Sequence, residues 1–300
     1  MTYSIVARDP QTGELGLAVQ SRYFAAGLIV PWIEAGAGAI ASQSFVNPAY
    51  GHEGLRFLRA GHSPQEALEA VKATDGGEAM RQVGLIDAQG RMAAHTGAQC
   101  VYAAGHTFGP QCVTQANMMT RPGVPEAMVT AFEATSGDLA EKLIGALEAA
   151  EAAGGDVRGR QGAALIVVNA QSSGVPKLDA QFDFRVDEHP NPVVEIRRLL
   201  NYQRALRRVE AATNQLQSGG DPTAAIAELQ ACLELYPNEP EFLYRSALTF
   251  AAGGQFLAAR ELMARAVNVH RGWAEFVLRF ADAGLLPVNR AALEPLVAGL

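Results

Sequence analysis

The chain has 300 residues, 49% of them hydrophobic and 18% charged, with a formal net charge of −7. That length suits about two ordinary domains, each with a substantial core. The acidic balance and the lack of a basic stripe argue against a nucleic-acid partner, and no apolar run is long enough to span a bilayer.

The first half alternates strand-like runs with turn signals. Residues 3–7 form a β-rich run, Asp9-Pro10-Gln11-Thr12-Gly13 a hairpin turn, and residues 15–20 the returning strand. Residues 28–33 and 38–45 predict another strand pair across Gly36-Ala37-Gly38, stopped by Asn47-Pro48. Residues 50–73 read as helix in two pieces. Leu55 and Leu58 share a face of the first, and Gly61-His62 interrupts. Ser63 with Glu66 makes a capping box for the second, with Pro64 in its first turn. Strands are expected at 82–86 and 91–96 around the turn 87–90, with two short ones near 100–104 and 111–116. Residues 124–153 predict a helical region ended by Gly154-Gly155-Asp156. Residues 163–169 are a nearly unbroken apolar strand, expected to be covered on both faces.

This order is α+β, and two sheets with helices outside would bury every apolar face. Composition shifts near His189-Pro190-Asn191-Pro192, which places the domains at 1–192 and 193–300. The second is almost wholly helical. Its Arg197, Arg198, Arg204, Arg207 and Arg208 are interleaved with apolar residues and read as a solvated helix face. Gly220, Ala225, Leu229 and Cys232 recur as Gly254, Ala259, Met263 and Ala266, an offset of 34 residues. That is the tetratricopeptide period. Pro237 closes the first copy, while Arg271 stands where the second would carry its proline.

Thr2 is the candidate nucleophile. No charged segment followed by an apolar stretch opens the chain, so no secretory signal is expected and Met1 removal would expose Thr2. The freed α-amine, with an ordinary pKa of about 7.7–8.0, could then take the proton of the neighbouring hydroxyl. Many chains begin Met-Thr without using it, so context decides.

That context is Thr2-Tyr3-Ser4-Ile5-Val6-Ala7-Arg8-Asp9, then Gly13-Glu14-Leu15-Gly16-Leu17-Ala18-Val19-Gln20-Ser21-Arg22. With Ser42-Gln43-Ser44-Phe45-Val46-Asn47-Pro48-Ala49-Tyr50-Gly51 and Gly159-Arg160-Gln161-Gly162-Ala163-Ala164-Leu165, it resembles the DUF1028 family over roughly residues 1–195. The resemblance implies an N-terminal-nucleophile-hydrolase relative, a four-layer αββα sandwich with a threonine nucleophile. It also implies hydrolysis of an amide bond in a small or peptide-like molecule, with no cofactor. Threonine hydrolases of the proteasome type place a lysine by the nucleophile. Here the first lysine is Lys72, so Arg22 is the expected nearby cation, a charge that cannot shuttle protons.

A tetrahedral intermediate also needs oxyanion donors, and Asn117, after a strand, could supply its amide. Gln43, Ser44 and Asn47 at one strand end, and His95 and Thr96 at another, are candidate substrate contacts, although such residues also bond their own turns. Asp156, Arg160 and Gln161 lie in a Gly-rich loop, where Arg160 could clamp a carboxylate. His95, Cys100, His106 and Cys112 match no paired-ligand spacing, so no metal is expected. The three cysteines give no disulfide framework and fit a reducing cytoplasm. Gly36-x-Gly38-x-x-Ala41 leads into a strand and is no dinucleotide site. The rival expectation is a non-catalytic binding module. Its helical repeat would recruit a protein partner or a second copy of the chain.

Overall fold

The structure is a computed structural model describing residues 2–218, 220–284, 286 and 290–300, with Leu216 and Gln217 as backbone only. Met1, whose removal the threonine chemistry requires, lies outside the described residues. The chain divides into two compact units, Met1–Leu200 and Asn201–Leu300.

The first unit is mixed α+β, with two antiparallel sheets. One is six-stranded: β1 (Thr2–Arg8), β2 (Leu15–Ser21), β7 (Gly105–Gly109), β8 (Cys112–Asn117), β9 (Gly162–Val168) and β10 (Ala180–Val186), in the order β10-β9-β2-β1-β8-β7. The other holds β3 (Pro31–Glu34), β4 (Gly38–Ser44), β5 (Arg81–Asp87) and β6 (Met92–Thr96), in chain order.

The β1–β2 hairpin closes where the sequence asks for it. Asp9 Oδ1 accepts from Gln11 N at 2.7 Å and Thr12 N at 3.3 Å, and Gly13 takes a φ of 78° that favours glycine. Along β1 the side chains alternate between two cores. Tyr3, Ile5 and Ala7 pack with Met128, Leu143 and Leu147 of the helices α4 (Val124–Ala134) and α5 (Leu139–Ala152). Val6 packs instead with Leu17, Val113, Ala41 and Ile86, a cluster drawn from both sheets. A third cluster joins Ile40, Val83 and Leu85 to Leu55, Leu58, Leu68 and Val71 of α2 (Ala49–Arg59) and α3 (Pro64–Lys72). The Ser63–Glu66 capping box is present in full, and α2 stops before Gly61, at φ 90°.

Four expectations change. Residues 28–33 are not one strand: α1 (Ala26–Ile29) precedes β3. Pro31 explains the break, since it favours a strand start at a sheet edge. Residues 100–104 are irregular, and the strand expected there, β7, starts later, at Gly105; the carbonyls of Val101 and Ala103 accept instead from Met118 N at 3.1 Å and Met119 N at 3.3 Å, just past the end of β8. The helical region 124–153 is split at Gly137, φ 114°, and Asp138 caps α5 through Glu141 N at 3.0 Å. β10 was not anticipated; it follows the short helix α6 (Pro176–Asp179) and pairs with β9 across an irregularity between Ala180 and Phe182.

In α7 (Pro192–Gln217), Val193, Ile196 and Leu200 join the core of the first unit. The rest of the chain is helical among the described residues: α8 (Pro222–Leu235), α9 (Pro240–Ala252), α10 (Phe256–Val269), α11 (Gly272–Asp282) and α12 (Arg290–Val297). The repeat positions Ala225, Leu229, Cys232, Ala259, Met263 and Ala266 are all buried. Among the described residues no helix is long and apolar enough to cross a membrane.

Candidate active site

β1 is central in its sheet, so its first residue has a strand on either side. Thr2 is directly opposite Ser21 on β2 and Asn117 on β8, which sets three polar side chains on one face. The bond from Arg8 N to Gln111 O, at 2.9 Å, fixes which way β1 presents its backbone. By the alternation of antiparallel ladders, Thr2 then turns its N–H and C=O toward β8. Thr2 and Ser21 are thus the close, non-bonded kind of pair, and their hydroxyls meet at 3.0 Å. Thr2 is only 5% exposed.

Its face looks toward the second sheet, across a layer of amides. Gln82, first inward residue of β5, joins the two sheets. Its Nε2 donates to Ala116 O at 2.9 Å, Gly105 O at 3.1 Å and Thr96 Oγ1 at 3.0 Å. Its Oε1 accepts from Gln43 Nε2 at 2.7 Å and Asn117 Nδ2 at 2.8 Å. Gln43 Nε2 also reaches Thr2 O at 3.2 Å, while its Oε1 accepts from Ser4 Oγ at 2.7 Å. Gln115 Nε2 donates to Ser4 Oγ at 3.2 Å and Ala41 O at 2.8 Å. Thr96 Oγ1 also meets His106 Nδ1, 2.8 Å away. Burial, then the neighbouring His95, pushes the His106 pKa down, which favours the neutral imidazole there.

Two of these strands leave the site through non-glycine residues in the left-handed region, Ser44 at φ 69° after Gln43 and Met118 at φ 57° after Asn117. Such strain persists only where the surroundings impose it, and it gathers at functional sites. The rim is pinned by ions. Arg81 Nε lies 2.8 Å from Asp75 Oδ2, and its Nη1 donates to Phe45 O at 2.8 Å. The Arg81 hydrogen bond holds the Asp75 carboxyl well below the usual carboxylate range.

On the opposite face, the Tyr3 hydroxyl donates to Glu151, whose carboxylate also takes Arg160. Burial first, and then the Glu151 charge, drives the Tyr3 pKa upward.

The expected site residues therefore separate into groups. Thr2, Asn117, Gln43 and Thr96 share one hydrogen-bonded network, with Ser44 at its edge. Arg22, Asp156 and Gln161 form a second: Arg22 N donates to Asp156 Oδ2 at 3.1 Å and the Arg22 guanidinium bonds Gln161. Arg160 belongs with Glu151 and with Asn191 Oδ1, at 2.7 Å. Asn47 accepts from Ala49 N at 3.0 Å as a turn residue, and His95 Nε2 meets Glu78 O at 2.9 Å. Sequence reasoning missed Ser21, Gln82, Ser4 and Gln115. The available signal was polar residues alternating into otherwise apolar strands. Among the described residues no group of three or more His, Cys, Asp or Glu could hold a metal ion.

Residues 2–196 match a family described as a family of unknown function, DUF1028. The fold is similar to the crystal structure of protein SPO2555 from Silicibacter pomeroyi, itself assigned to DUF1028, with a TM-score of 0.61 and 32% identity, covering 68% of this chain and 88% of that one. No curated protein matches the chain. The protein carries a mixed α+β unit of two antiparallel sheets with a polar site at one end. It belongs to the DUF1028 family.

Proposed function

We propose that the first unit is an N-terminal-nucleophile amidohydrolase, a four-layer αββα sandwich acting in the cytoplasm on an amide bond of a small or peptide-like substrate. The carrying observation is the position of Thr2: first described residue of a central strand, hydroxyl turned between the sheets, side chain nearly buried beside Ser21.

After Met1 leaves, the Thr2 hydroxyl attacks the substrate carbonyl carbon and passes its proton to its own α-amine. The negative charge moves to the carbonyl oxygen. Backbone N–H groups and the second proton of the Asn117 amide nitrogen hold it. The amine returns the proton to the leaving nitrogen as the C–N bond breaks, and an acyl ester remains on Thr2. Water, activated by the same amine, hydrolyses that ester. Arg22, one residue beyond Ser21, supplies permanent positive charge near this end, so proton movement falls to the α-amine alone. Gln43, Ser44, Asn47, Thr96 and His95 are the proposed substrate-side rim from the second sheet, and Asp156, Arg160 and Gln161 from the loop before β9. The helical unit is read as a tetratricopeptide-type array that docks a protein partner or a second copy of the chain.

Intact-mass analysis tests the first requirement: the purified protein should lack Met1. A panel of acyl p-nitroanilides then tests the second. Thr2→Ala should abolish turnover, a loss of about a thousandfold or more. Met1 retained throughout, or unchanged turnover in Thr2→Ala, removes the nucleophile and leaves a binding module.

A further inference from the structure

Asn117 carries a buried acceptor that the network leaves unused. The side chain is fully buried, yet its Oδ1 has no hydrogen-bond partner among the described residues. An unmet buried acceptor of this kind is a cost to the folded state. A reversed amide does not remove the problem, because the network fixes every orientation. Gln82 Nε2 is held by the carbonyls of Ala116 and Gly105, which can only accept. Gln82 Oε1 must then face Asn117, and only the nitrogen of Asn117 can meet it. Oδ1 is left turned away from Gln82, on the strand position directly across from Thr2.

Resting on the reading of Thr2 as nucleophile, we propose that Asn117 Oδ1 accepts an N–H of the free Thr2 α-amine and holds it beside the hydroxyl. Thr2 turns its nitrogen toward β8, as the bond between Arg8 and Gln111 dictates. Within a peptide that nitrogen has one proton, which the strand ladder uses. Freed and protonated it has three, and Asn117 Oδ1, on the strand position across from Thr2, is a buried acceptor without a donor among the described residues. A neutral amide suits the task. It orients the amine without adding the negative charge that would keep it protonated and useless as a base. Through Oδ1, Asn117 positions the amine, a role separate from the contact its Nδ2 makes with the oxyanion. The ionisable groups on surrounding elements are Arg22, Asp156 and Arg158 beyond β2 and β8, His106 on β7, His95 on β6 with Glu78, Cys100 after β6, the Arg81–Asp75 pair at β5, and Tyr3 with Glu151 and Arg160 on the far face.

The experiment is competitive acetylation of the full-length, Met1-free protein by acetic anhydride across a pH series, reading the N-terminal peptide by mass spectrometry. Asn117→Asp keeps an acceptor and adds charge, so the labelling midpoint of the Thr2 amine should rise by about 1 or more. Asn117→Leu removes the acceptor, so the midpoint should fall. A merely structural role would not move the two midpoints in opposite directions. Identical midpoints in all three proteins overturn the inference. Should a variant fail to fold, a crystal structure of the wild-type Met1-free protein decides. Thr2 N should lie within about 3.2 Å of Asn117 Oδ1, and an amine bonded elsewhere overturns the proposal. Retained Met1 overturns this and the hydrolase reading together. A Met1-free enzyme that needs Thr2 but shows unmoved midpoints overturns this inference alone.

Discussion

Along β1, the face turned toward the second sheet changes from hydroxyls at Thr2 and Ser4 to hydrocarbon at Val6, and the change runs across the whole layer. At one end the layer is Gln43, Gln82, Gln115 and Asn117, tied by directed bonds. At the other it is Leu15, Leu17, Val19, Ile86, Val113 and Val168. The hydrocarbon end stabilises by area removed from water, roughly 25 cal/mol per Å², and tolerates any well-packed arrangement. The amide end gains little net free energy per bond and fails if one partner is lost. Fixing the amides, and with them the neighbours of Thr2, is what the polar end does that hydrocarbon would not.

The sharpest way to break this contrast is Gln82→Leu. It removes five directed bonds and leaves Thr96, Gly105 O, Ala116 O, Gln43 and Asn117 without them. The expected destabilisation is about 4 kcal/mol, read from the urea midpoint, with loss of any Thr2 activity. A change under about 1 kcal/mol would show that water replaces the amide without penalty. Leu17→Ala at the hydrocarbon end should follow at about 3 kcal/mol through its cavity. There the pH dependence of the Thr2 amine should stay put in the folded protein. A shift in that profile would mean the two ends are not separable.

The local devices were legible because each is written in adjacent residues: the Asp9 turn, the break at Gly61, the Ser63–Glu66 box. Most strands were legible from their apolar runs, though not β7 or β10; Thr2 stood out by its place after Met1 and by the family resemblance, and Asn117 as a polar residue at a strand end. Their meeting did not, because it depends on pairing across more than a hundred residues. Gln82 was invisible for another reason. A glutamine opening a strand is ordinary, and only the approach of the opposite sheet makes it a junction. α1 and β10 were hidden because tertiary contacts override the short-range pattern. The strand-like run 28–33 yields at Pro31, and β10 exists by pairing with β9.

The polar end also has an acid limit. Asp75, through Arg81, braces the strand end at Phe45. The Asp75 carboxyl has a folded pKa depressed below its unfolded value of about 3.9. Its contribution is therefore complete above that unfolded value and is lost as pH falls through it toward the folded pKa. Asp75→Asn should cost about 2 kcal/mol at neutral pH, and the stabilities of variant and wild type should converge in acid. Parallel curves down to pH about 2 would assign the bracing to something other than the carboxylate.

Ser4→Ala carries the smallest expected effect and the finest question. Ser4 Oγ gives its proton to Gln43 Oε1 and receives one from Gln115 Nε2, but Gln115 keeps Ala41 O at 2.8 Å. The bonds lost are thus few, and the direct cost should be about 1 kcal/mol. Gln43, however, is the residue that links Gln82 to Thr2 O. If the amides act as one unit, combining Ser4→Ala with Gln82→Leu should cost less than the two losses taken separately, by about 0.5 kcal/mol or more. Strict additivity, measured by urea unfolding of the four proteins in the cycle, would reduce the polar end to independent bonds. It would then no longer differ in kind from the hydrocarbon packing beside it.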